Sequence, residues 1–135
     1  PPHNQELVVY GRVPMMVSAG CVKRSLGACP ISHTQKQLSQ GIPAAAFSCR
    51  LKDRYNVEFP VWVNCRHCMN TIYNSVPLSL HQYLADQKRR GILAIRLDFT
   101  DETAEKTREV LEFFSEGKGT APAQYTTGHY KKGVQ

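Results

Sequence analysis

The chain has 135 residues, 41% hydrophobic and 21% charged, which suits one ordinary globular domain over 1–135 and excludes a disordered or fibrous chain. Lys and Arg outnumber Asp and Glu by 17 to 11, and the net charge of +6 suits an anionic partner such as RNA, although the cations stand in small scattered groups that also fit a solvated surface. The longest apolar stretches, Val13 to Ala19 and Ala44 to Phe47, fall far short of the roughly 20 residues that cross a bilayer, so no membrane partner is expected.

The opening PPHNQE lacks the basic start and apolar middle of a secretory signal and has no initiator Met. A cytoplasmic piece of a longer protein is expected, with the preceding part of that protein as its first partner. Glu6 to Tyr10 is a run of β-formers that ends at Gly11 and reads as a buried strand. From Arg12 to Gly41, Pro14, Gly20, Gly27, Pro30 and Gly41 interrupt every period, and a long structured loop carrying Cys21 and Cys29 is expected. Phe47 to Tyr55 and Val57 to Val63 are extended runs broken near Asn56, and they predict a β-hairpin that leads directly into Cys65 and Cys68.

Pro77 suits the first turn of a helix running to Arg90 and stopped by Gly91. Ile92 to Phe99 predicts a strand, after which Thr100 offers an N-cap and Asp101 and Glu102 suit the positive end of a helix dipole. The helix expected from Asp101 to Glu116 places Ala104, Thr107, Leu111 and Phe114 on one stripe, and Gly117 ends it. The tail from Lys118 is rich in Gly, Thr and Lys, and Tyr125 and Tyr130 are expected to pack it along a surface. Strand then helix, twice over, is the rhythm of an α/β fold with parallel strands, open or closed, into which the hairpin and cysteine loop, about 12–75, are inserted; 92–117 form the clearest βα unit.

Five cysteines without a secretory signal point to reduced thiols, and so to metal binding or catalysis before a disulfide framework. Cys65 and Cys68 form a C-x-x-C pair, whose thiolates reach one metal from a single tight turn. Cys21 and Cys29 are a looser pair, and the four together supply the all-thiolate set used by zinc or by an iron-sulfur cluster. Cys49 occupies an alternating strand position where a core thiol is the simpler explanation, and His67, between the paired cysteines, is expected to point away from them. No G-x-S-x-G, H-E-x-x-H or P-loop motif is present.

Glu6, Val8, Gly11, Cys21, Gly27, Cys29, Ile31 and Ser32 together resemble the signature of the U32 (collagenase-like) peptidase family. Three departures mark a divergent branch: Val8 stands where phenylalanine is usual, the segment between Gly11 and Cys21 is longer, and one extra residue precedes Gly27. YGRVPMM from Tyr10, LKDRYNVEFPV from Leu51, NTIYNS after the C-x-x-C and the closing TGHYKKGV are similar to long bacterial members. The resemblance implies the last strand-helix units of a TIM-like (β/α) barrel and a 4Fe-4S cluster held by Cys21, Cys29, Cys65 and Cys68, with zinc as the alternative metal. It implies oxygen-independent hydroxylation of RNA or of a small aromatic ring, with supporting roles for Glu6, Arg12, Asp53, Arg54 and His129. Two alternatives stand beside it: a peptidase of undefined catalytic type, and a zinc-stabilised binding module without catalysis. A partial barrel would leave a sheet edge to be covered by a loop or by a second copy, so a homodimer is a further expectation.

Overall fold

The computed structural model describes residues 5–27, 29, 46–65 and 67–131, with only the backbone at 46–48. In chain order its elements are β1 (Glu6–Gly11), β2 (Pro14–Ser18), α1 (Val22–Ser25), β3 (Ala46–Lys52), β4 (Glu58–Asn64), β5 (Met69–Tyr73), β6 (Leu78–Ser79), α2 (Leu84–Arg89), β7 (Ala94–Asp98) and α3 (Ala104–Glu116). They fall into two compact units, one formed by Pro1–Val13 with Val76–Gln135 and the other by Pro14–Ser75.

In the first unit, β1 is the middle strand of a three-stranded sheet, antiparallel to β6 and parallel to β7. Val9 sits at a register shift in β1, and its carbonyl accepts from Leu80 N at 2.9 Å. Val9, Tyr10, Leu80 and Val110 of α3 are among the buried apolar residues of this unit. The Tyr10 ring lies 5.7 Å from Phe99 and 6.0 Å from Phe114, both at tilted angles that aromatic pairs favour. Gly11 stands opposite Asp98 at φ 141, and a Cβ there would come within 2.4 Å of the Asp98 carbonyl oxygen, so the close approach of β1 to β7 requires glycine.

The tail is fastened back onto this unit. Thr126 N donates to Pro77 O and Thr126 O accepts from Ser79 N, each at 2.9 Å. The Tyr130 ring stacks on Tyr83 at 4.5 Å, its hydroxyl accepts from Gln87 Nε2, and the Tyr125 hydroxyl accepts from Gln82 Nε2 at 2.6 Å.

The second unit is a four-stranded antiparallel sheet in the order β2-β5-β4-β3. Along β4 the side chains of Val61 and Val63 are buried at alternate positions, the period of a strand with one face against a core. Fully burying a side chain of this size stabilises by about 1.5–3 kcal/mol. Asp53 Oδ1 closes the β3–β4 connection by accepting from Tyr55 N at 2.7 Å and Val57 N at 2.9 Å, and Asn56 takes a left-handed φ of 64.

The barrel expected from the family resemblance is overturned. The described strands form two separate sheets, neither of them closed, and β1 has an antiparallel neighbour where a (β/α) barrel needs a parallel one. β1 also runs on into β2 instead of a helix. The expected helix from Pro77 is cut to Leu84–Arg89, preceded by a 3₁₀ turn at His81–Tyr83, because Leu78 and Ser79 pair with β1. α3 starts later than expected, with Thr103 as its N-cap accepting from Lys106 N at 3.2 Å. Its stripe is rotated as well: Val110 is buried, whereas Leu111 and Ala104 are exposed. Residues 28 and 30–45, which include Ile31, Ser32 and the later part of the expected loop, lie outside the described residues, as do 1–4, Arg66 and 132–135.

Candidate metal centre

The buried face of β4 continues past the strand end. Val61, Val63 and Cys65 keep the two-residue alternation, so the strand that fills the core also inserts the Cys65 thiol into it. Asn64 at the end of β4 pairs with Met69 at the start of β5, so Cys65 and Cys68 lie at the connection between the two strands. Asn64 Oδ1 accepts from His67 N at 3.2 Å within this connection. Cys68 takes a left-handed φ of 51 and is exposed, with its sulfur 4.0 Å from the Cys65 carbonyl oxygen; His67 is exposed too.

Cys21 reaches the same place from a distant part of the sequence. With Cys65, Val61 and Val63 it forms one buried cluster, against which Val22, Cys49, Leu51 and Ile72 pack. The contact is made by Asn70, the β5 partner of Val63, which is 1% exposed. Its Nδ2 donates to Gly20 O at 2.6 Å and its Oδ1 accepts from Val22 N at 3.4 Å, so one amide grips the backbone on both sides of Cys21. The chain then enters α1, where Ser25 N donates to Cys21 O at 3.0 Å.

Two of the four cysteines expected to act as ligands therefore belong to one buried, largely apolar cluster, and Cys68 follows three positions after one of them. Cys29 is half-buried, and so is Cys49, whose place against the cluster is that of a core thiol. Among the described residues no group of three or more His, Cys, Asp or Glu side chains is gathered closely enough to hold a metal ion. The donor set still fits a thiophilic centre in its chemistry: soft sulfur ligands from two segments, with the pair at its heart shielded from water. Completing it requires Cys68 to turn inward and Cys29 to approach.

The other expected site residues are described within their own units. Glu6 is exposed at the start of β1 and accepts from Arg96 at 2.9 Å, while Arg12 follows the other end of the strand, six residues or about 20 Å along it. Asp53 is spent on the hairpin turn, and Arg54 lies over the Tyr55 ring at 4.7 Å. His129 is exposed in the tail turn, where Tyr130 N donates to Thr127 O.

Two features escaped the sequence reading. One is Asn70, whose signal is a buried amide among the β-formers Thr71, Ile72 and Tyr73. The other is a polar group at the carboxyl ends of the parallel strands β1 and β7. There Arg12 Nε donates to Asp101 Oδ1 at 2.6 Å, Tyr10 donates to Glu102 Oε1 at 3.3 Å, and Glu102 Oε2 accepts from Thr100 N at 2.6 Å. Burial, and after it the Glu102 carboxylate, push the Tyr10 hydroxyl up to about 12.

No protein-family model, curated protein or solved structure matches the chain. Among the described residues no helix is long and apolar enough to cross a membrane.

Proposed function

We propose that the chain is the cluster-holding part of a U32-type iron-sulfur enzyme, with Cys21, Cys29, Cys65 and Cys68 as the thiolates of one centre. The observation that carries this reading is the shared burial of Cys21 and Cys65 in a single cluster, although they stand 44 positions apart (65 less 21) in the sequence. Buried cysteines in a core are common on their own. What favours a ligand role is that each member of this pair begins a segment that brings a second cysteine, Cys29 and Cys68. When bound, a 4Fe-4S cluster supplies redox chemistry to the site. The basic balance of the chain suits an RNA substrate for oxygen-independent hydroxylation, with a small aromatic ring as the other substrate of this class.

The test is the colour and composition of the chain purified without oxygen. Iron together with acid-labile sulfide and a brown charge-transfer absorption is the expected result. Zinc without sulfide would make this a zinc-stabilised module, and a colourless, metal-free chain after reconstitution with iron and sulfide would overturn the reading.

A further inference from the structure

Cys21 sits at its place in the cluster without the support of a strand ladder, and the helix that follows it is only four residues long. Its two chain neighbours are held instead by one side chain. Asn70 Nδ2 donates to Gly20 O at 2.6 Å and Oδ1 accepts from Val22 N at 3.4 Å. A parallel strand holds a residue in this manner, bonding to the carbonyl before it and the amide after it. A carboxamide carries a donor and an acceptor side by side on one planar head, which suits it to this paired contact. Packing does not account for it, because an apolar residue at a 1% exposed strand position facing Val63 would avoid burying an amide altogether.

We infer that Asn70 is a positioning residue, which holds the Cys21 thiol in register with Cys65 by clamping the backbone on either side of it. The inference rests on the reading of Cys21 as a metal ligand. Asn70 touches no metal in this account; it sets where one sulfur stands before metal arrives.

The experiment uses the full 135-residue chain, reduced and free of oxygen, titrated with Co(II), whose sulfur charge-transfer absorption reports thiolate ligation. Asn70→Asp keeps the shape and the acceptor but removes the donor, and Asn70→Leu keeps the volume alone. Both are expected to weaken Co(II) binding by about 10–100-fold and to lower the charge-transfer intensity towards that of Cys21→Ser, while the far-ultraviolet dichroism of the metal-free chain is unchanged. Wild-type affinity in both Asn70 variants, with binding still lost in Cys21→Ser, would overturn the positioning role and leave the thiolate site standing. Wild-type binding in Cys21→Ser would remove the site and the inference with it. If the Asn70 variants do not fold, the wild-type chain still decides: the Asn70 side-chain amide protons must shift in the NMR spectrum on Co(II) loading, and unshifted resonances overturn the proposal.

Discussion

Tyr10 is 1% exposed, and its hydroxyl, ordinarily at 10.0, is raised to about 12 by burial first and then by Glu102. The sign of its effect on stability follows from which state keeps the proton. Below pH 10.0 the phenol is neutral in both the folded and the unfolded chain, and its contribution is present in full. Between 10.0 and about 12 the unfolded chain loses the proton while the folded chain retains it, so stability falls as the pH rises through this window. Denaturant unfolding measured across it should show that decline, and Glu102→Gln should make the decline shallower by removing the largest charge that pushes the hydroxyl up after burial. Equal pH dependence in the two proteins would contradict the contact.

α3 shows how an element can be recognised in sequence while its start is misplaced. Thr100, Asp101 and Glu102 read as a cap and first turn, yet Asp101 is drawn to Arg12, and Glu102 to Tyr10 and Thr100 N, and the helix begins only after Thr103. Thr103→Ala is therefore expected to cost about 1 kcal/mol in denaturant unfolding, and Thr100→Ala clearly less. The reverse order would restore the earlier start. The same contrast between local and distant interactions runs through the fold. The strand ending at Gly11, the hairpin leading to Cys65 and the strand of Ile95 and Leu97 were legible as local runs of β-formers, and α3 through its stop at Gly117. β2 was not, since Met15, Met16 and Val17 are all exposed and no alternation marks them. β6 was not, because Leu78 and Ser79 are strand only through pairing with Tyr10 and Gly11.

At the scale of the whole molecule, cysteine spacing pointed to the thiols, whereas their convergence depends on an Asn70 contact with residues 48 and 50 positions away, for which no local pattern exists. The barrel failed for a related reason. Strand order and direction are properties of pairing, and the rhythm of strands and helices that suggested parallel neighbours could not reveal that β6 would take an antiparallel place beside β1. The fit of Cys21 with Cys65, and of Cys49 as a core neighbour, leads to one decisive comparison: metal content per chain, after oxygen-free reconstitution, in the wild type, Cys21→Ser, Cys65→Ser and Cys49→Ala. The account predicts a bound centre in the wild type and Cys49→Ala and its loss in each of the other two. Metal retained in both Cys21→Ser and Cys65→Ser would contradict it.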